Sequence, residues 1–370
     1  MKVRVVNVAA QNVGLRDRLV QRFTAVLDEG NFILGSAVED FEELVCDYLG
    51  AEHAIACSSG SDALVLALLA LGIGPGDEVI TSPFSFFASA EAILRVGARP
   101  YFVDIDSEDF GLDPERVEAA ITARTRAILP VHLYGHPCRI ETLNSIADRY
   151  ALPLVEDAAQ AFGASHETGS LGTLGTLGCF SFQPTKPLGA LGDAGLVVTG
   201  EPDIAKRCRR LRVHGAEQKY VHREPGGNYR MDAVQAAFLT EKLTHLPEWL
   251  RARAECAEAY NESLARVESL TTPRLSPGAS WACYTLRVHH GRRAHLAQFL
   301  LDRGIETAVH YPLPLHRQPA LAASPMLVAP EGLANAELAA EEVLSLPLYP
   351  ELKASELNYV VECILAYFES

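Results

Sequence analysis

The sequence predicts an α/β protein: a large domain with a mostly parallel sheet sandwiched by helices, then a small C-terminal α+β domain. Three observations predict it. Short apolar runs at 54–57, 78–80, 101–104, 127–131, 152–155 and 177–182 alternate with stretches of helical periodicity. Each run is apolar nearly throughout, as parallel strands covered on both faces must be. Beyond residue 246 the series stops, and a strand of alternating pattern, 284–288, takes its place.

The chain has 370 residues, 48% of them hydrophobic, which is enough for a large core and suggests two domains. Lys+Arg 32 against Asp+Glu 47 leaves a net charge of −15, which argues against a nucleic-acid or anionic-membrane binder. The eight cysteines are scattered without a C-x-x-C pair, so neither a metal site nor a disulfide framework is expected. The N-terminal residues lack the apolar core of a signal peptide, and the longest apolar run, 63–73, is too short to span a bilayer. A cytoplasmic protein with reduced thiols is expected.

Taken in order, 31–35 reads as a loop before a helix on which Val38, Phe41, Leu44 and Val45 recur at helical spacing. Strand 54–57 ends in Ser58-Ser59-Gly60-Ser61-Asp62, which opens an apolar helix over 63–71. Such a helix start is a ready anion site, although the same residues also serve as simple caps. Gly72, Gly74 and Gly76 stand between a helix and a strand, the reverse of the order a dinucleotide fingerprint needs. Strands 101–104, 127–131 and 152–155 alternate with helices around 114–122 and 139–150. The last of them delivers Glu156-Asp157-Ala158-Ala159-Gln160 to the carboxyl end of the sheet, where ligands of such folds bind. Residues 164–178 form a glycine-rich connection, and Gly226 to Asp232 cap a helix bearing Val234, Ala237 and Phe238. We place the domain boundary near Leu246, giving domains of 1–246 and 247–370. In the second, Pro247 starts a helix through Tyr260, 284–288 is a half-exposed strand, and a helix bearing Leu296, Phe299 and Leu300 stops at Gly304. His310-Tyr311-Pro312-Leu313-Pro314-Leu315-His316 is a proline-stiffened loop that can face the mouth of the large domain.

The chemistry centres on Lys186, set between Pro184 and Pro187 and followed by Gly189, Gly192 and Gly195. Pro187 biases Lys186 away from helix, so the amine is presented by a stiff corner. A held, desolvated lysine is what a Schiff base to pyridoxal 5'-phosphate (PLP) requires. Asp157 can bond the pyridine nitrogen and keep it protonated, Gln160 can donate to the ring's phenolate oxygen, and Gly60, Ser61 and Ser181 can seat the phosphate. Four separate segments then serve one cofactor.

With these residues in view, the chain resembles the PLP-dependent nucleotide-sugar aminotransferases of the DegT and StrS type. The resemblance runs nearly end to end: Phe32-Ile33-Leu34-Gly35, Ser59 to Leu64, Val155 to Gln160, Pro184 to Gly189, Asn228 to Asp232 and His310-Tyr311-Pro312. It implies the aspartate aminotransferase fold, Phe86 stacked on the cofactor ring, and a homodimer in which Asn228 reaches the partner's cofactor. It also implies a nucleotide-sugar substrate, met by Arg230, His214, His310, Tyr311 and His316, with an amino-acid donor such as glutamate. Ser61 replaces a commoner Thr, and Gln183 stands where an aromatic or His is usual. The loop at 308–312 together with His214 most resembles enzymes acting on UDP-2-acetamido-3-keto-glucuronate; a dTDP-4-keto-6-deoxyhexose is the alternative. A non-catalytic regulatory member of the fold is the competing reading; a desulfurase would need a mobile nucleophilic cysteine, and Cys57 and Cys179 both fall on expected buried strands.

Overall fold

The computed structural model describes residues 1–369. Seven strands within residues 53–199 build its main sheet: β1 (His53–Cys57), β2 (Glu78–Thr81), β3 (Arg99–Phe102), β4 (Thr125–Leu129), β5 (Val155–Asp157), β6 (Leu177–Ser181) and β7 (Gly195–Thr199). Their spatial order is β1-β7-β6-β5-β4-β2-β3, with the short strand Leu327–Val328 beside β3. Parallel bridges Ile128 to Leu154 and Val131 to Asp157 join β4 to β5. Only β7 runs against both its neighbours.

Successive side chains on a strand point to opposite faces, and here both faces are buried. On β1, Ile55 and Cys57 enter one core with Val79, Val155 and Val197, whereas Ala54 and Ala56 enter another with Phe41, Phe180 and Leu196. The helix Gly60–Ala70 is apolar all round because it lies inside the first core, where Ala63 to Leu68 are all buried. The amphipathic helix Ser36–Leu49 and the helix Ala233–Leu243 cover the opposite face.

The C-terminal part holds an antiparallel sheet of Leu270–Thr271, Tyr284–Val288 and Val343–Leu346. The helices Leu246–Leu264, Arg293–Asp302 and Ala354–Glu369 pack on it. The strand Tyr284–Val288 differs from its half-exposed expectation. It is the central strand, and Thr285 is buried through its hydroxyl bond to Ser345 at 2.8 Å. Residues 315–343 return to the large sheet: Leu315, Leu321, Leu333 and Ala336 join its first core. The helix Ala334–Glu342 begins on Asp104, whose buried carboxylate accepts the N–H groups of Asn335 and Ala336 at 2.9 and 3.0 Å. That duty, together with its bond to the Ile105 N–H, takes Asp104 out of the strand expected at 101–104. The run 152–155 likewise pairs later than expected, as Val155–Asp157, because Pro153 can offer only its carbonyl, to Ile128.

Candidate active site

A cavity of about 530 Å³ opens where β5 and β6 end, between the large sheet and the C-terminal sheet. Gly60, Ser61, Phe86, Asp157, Gln160, Ser181, Lys186, His310 and Tyr311 all line it. The amine and the carboxylate on which the sequence reading depends therefore open onto one space.

Lys186 sits on a turn pinned at its base. Its own N–H donates to the Gln183 carbonyl at 2.8 Å, and the Ala190 N–H donates to Phe182 at 2.7 Å. Burial lowers the pKa of its ammonium, while Cys283 and Asp157 pull it back up. Asp157 projects from the end of β5, with its N–H on the Pro130 carbonyl and its own carbonyl taken by His132. Ser89 donates to its Oδ2 at 2.7 Å and the Ala159 N–H to its Oδ1 at 3.2 Å. Burial raises its pKa, and those two bonds, Lys186 and His132 oppose the rise. Ser89 in turn meets Ser85 at 2.8 Å.

Glu156, the next residue back, points to the other face as strand alternation demands. It receives His132 at 2.8 Å and the N–H groups of Gly172, Leu174 and Gly175, so it folds the glycine-rich connection and takes no part in the cavity. Among the described residues no cluster of His, Cys, Asp or Glu could hold a metal ion.

The anion seat is a helix start against a strand end. The Ser59 hydroxyl accepts the Asp62 N–H at 3.1 Å, whereas the first-turn N–H groups of Gly60 and Ser61 have no partner within the helix. Gly60 is required by closeness: a Cβ there would lie 2.5 Å from the Ser181 Cβ. The cradle of backbone N–H groups and two serine hydroxyls suits a phosphate, and Asp157 with Lys186 suits the ring that carries it.

Gln160 is held at both ends, its Oε1 by the Tyr134 N–H at 2.5 Å and its Nε2 by the Tyr311 hydroxyl at 3.3 Å. The Tyr134 hydroxyl donates to the His310 carbonyl, tying the large domain to the loop that carries His310 and Tyr311, whose joining peptide is cis. His310 Nδ1 lies 2.9 Å from the Ser345 hydroxyl, and burial lowers its pKa. Tyr311 meets Phe86 at 6.1 Å between ring centroids. Phe86 remains 59% exposed, its face open to the cavity.

Four residues of the sequence reading do not join this cavity. Asn228 and Arg230 bond each other at 2.8 Å and lie beside the end of β1, and the His214 carbonyl accepts from His222. His316 is a correction: its Nε2 is engaged by Glu337 at 3.1 Å, away from the cavity. Conversely, Ser89, Tyr134, Cys283 and Ser345 are absent from that reading, as are Val5, Val6, Leu346 and Leu348, which form a wall with Ala308 of the expected loop. Small and apolar residues carry no chemical signature until the fold gathers them. Cys57 and Cys179 are buried and their thiol pKa values pushed up, so neither is a mobile nucleophile.

The chain is 43% identical, over 100% of its length and 99% of the relative's, to a pleiotropic regulatory protein of Geobacillus stearothermophilus. It is 44% identical to the dTDP-3-amino-3,4,6-trideoxy-alpha-D-glucose transaminase of Streptomyces venezuelae, covering 93% and 90%. It is 39% identical to the UDP-2-acetamido-2-deoxy-3-oxo-D-glucuronate aminotransferase of Pseudomonas aeruginosa, covering 97% and 98%. Among solved structures, S. venezuelae DesV in complex with a ketimine intermediate superposes with a TM-score of 0.95 at 42% identity, covering 100% and 99%. A Bacillus subtilis protein with bound cofactor PMP gives 0.92 at 33%, covering 99% and 83%. The family model for DegT/DnrJ/EryC1/StrS aminotransferases matches residues 14–365, and the chain belongs to that family.

Proposed function

We propose that this aminotransferase binds PLP in the cavity between its two sheets and moves an amino group from an amino acid, glutamate for preference, to the ketone of a nucleotide-linked sugar. The observation that carries the reading is that Lys186 and Asp157 line one cavity beside an anion seat. PLP, when bound, supplies an electron-accepting ring conjugated to the substrate nitrogen. Lys186 would hold that group covalently between turnovers and, once freed by a donor amine, its Nζ would take the proton from the donor Cα and deliver it to the aldehyde-derived carbon of that group. Its lowered pKa favours the neutral amine this requires. Asp157, steadied by Ser89 and the Ala159 N–H, keeps a proton on the ring nitrogen. Gly60, Ser61 and Ser181 would hold the phosphate, Gln160 would donate to the ring oxygen, and Phe86 and Tyr311 would shield the ring from water.

The proposed working form is a homodimer. Phe32, Ile33 and Leu191 are more than 40% exposed, and Asn228, Arg230 and His214 do not line their own chain's cavity, which fits residues given to a partner's site. For the sugar, the wall of Val5, Val6, Ala308, Leu346 and Leu348 carries no arginine of the same chain. Such a wall suits a deoxygenated 3-keto sugar; a 3-keto-glucuronate needs Arg230 of a second copy to meet its carboxylate.

Incubation of the holoenzyme with glutamate should bleach its visible band. Adding dTDP- and UDP-linked 3-keto and 4-keto sugars one at a time, and locating the new amine by NMR, identifies the acceptor. The regulatory reading, which the name of the Geobacillus relative keeps in play, predicts a protein whose band does not respond to any amino donor. Lys186→Ala that retains transamination would overturn the assignment of the lysine.

A further inference from the structure

Behind the Lys186 turn lies a buried cation that the proposed chemistry does not use. Lys242, near the end of the helix Ala233–Leu243, is fully buried, and its Nζ donates to the carbonyl of Gly189. That Nζ also lies over Trp249, 5.9 Å from the ring centroid. Gly189 closes the turn that begins at Pro184, so tightly that a Cβ on Gly189 would lie 2.4 Å from the Pro184 carbonyl oxygen. Displacing residue 189 therefore displaces both ends of the turn that carries Lys186. The first turn of the same helix adds a second hold, Gln235 Oε1 accepting the Leu191 N–H at 2.9 Å.

A lysine is a costly way to fill a core. Burial lowers its pKa to about 8, against an ordinary 10.5, and a leucine or methionine would occupy the space without that desolvation. What it offers over them is a donor at one carbonyl, three residues from Lys186.

We propose that Lys242 is a positioning residue for Lys186: by fixing the Gly189 carbonyl, with Gln235 fixing Leu191, it sets the direction from which the Lys186 amine enters the cavity. This rests on the reading that Lys186 carries the cofactor.

The test compares Lys242→Met, which keeps an unbranched apolar side chain and removes the donor, with Lys242→Arg, which restores one. In each holoenzyme the pH midpoint of the cofactor's visible band, kcat, and KM for the amino donor are measured beside the melting temperature. The expected result for Lys242→Met is a midpoint moved by about half a pH unit or more and a kcat lowered roughly tenfold at nearly constant KM, with Lys242→Arg returning the midpoint toward wild type. A lower melting temperature with unmoved midpoint and kcat would make Lys242 merely structural and overturn the proposal. Should Lys242→Met fail to fold, Gln235→Leu releases the other hold; it should move the midpoint in the same sense, and an unmoved midpoint overturns the proposal equally. A wild-type protein that shows no visible band with PLP removes the underlying reading and the proposal together. A wild-type band with unmoved variants removes the proposal alone.

Discussion

Asp157 shows how much of a residue's behaviour is set by groups its own segment does not contain. Asp157 is only 5% exposed, which raises its pKa, and the counterweight comes first from Ser89, on the helix after β2. Ser89→Ala removes a hydrogen bond to a charged group, generally worth about 1.5–3 kcal/mol, and with it the largest of the influences that hold the Asp157 pKa down. Because the ionised carboxylate is the active form, the acid limb of the kcat profile should move to higher pH. Activity above the new limb should be almost unchanged. A pH–rate series on wild type and Ser89→Ala checks this, and an unmoved limb would remove Ser89 from the site. Asp157 and Lys186 are legible in the sequence because they are titratable residues at positions where such residues are out of place. Ser89 is one small residue among several in 85–90 and offers no such signal.

At the scale of elements, the anion seat depends on how closely one helix start meets one strand end. In an open helix alanine is favoured over glycine by about 1 kcal/mol. At Gly60 the new methyl would meet Ser181 at 2.5 Å, so Gly60→Ala should push the first turn off β6 and weaken PLP retention roughly tenfold. Gly200→Ala, where nothing lies within 4 Å, is the control and should retain the cofactor as wild type does. Equilibrium dialysis of the two variants against PLP measures the difference. The strands were legible here as apolar runs, but β7 was not: the motif reading stops at Gly195, the residue with which β7 begins. Direction and neighbour are properties of the sheet, and a strand that runs against both flanking strands looks locally like any other.

Across the whole molecule, a second cavity of about 300 Å³ brings together segments from both halves of the chain, among them Asp109, His136 and Pro273 to Pro277. His136 stands edge-on to Trp281 at 4.3 Å, and burial lowers its pKa to about 4. Between its ordinary 6.5 and 4 the unfolded chain binds a proton that the folded one refuses, so stability falls as pH drops through that window, by up to about 3 kcal/mol. Asp109 does the reverse. Burial raises its pKa to about 6 against the Gly111 N–H, so the folded state takes up a proton before the unfolded one does and gains about 3 kcal/mol as pH falls toward 3.8. The two slopes nearly cancel between pH 6 and 4. Urea unfolding should show His136→Asn growing more stable relative to wild type as pH falls from 6.5 to 4, and Asp109→Asn growing less stable. Parallel curves for all three proteins would contradict both assignments.

What the sequence determined by itself is whatever depends on neighbours in the chain. The alternation of apolar strands and amphipathic helices, the stiff Pro-Lys-Pro corner, the acidic residue at a strand end and the capped helix start are all local patterns. Only the tertiary structure decided which of these face one another. It brought Lys186 and Asp157 to one cavity and sent Glu156 to the opposite face of its strand. It carried His316 away to Glu337, and set Lys242 against a carbonyl 53 residues earlier in the chain. The physical reason is that a cavity is made by chain segments distant in sequence, and the residues that shape it are mostly small or apolar. Such residues are chosen for fit to surfaces that exist only after folding.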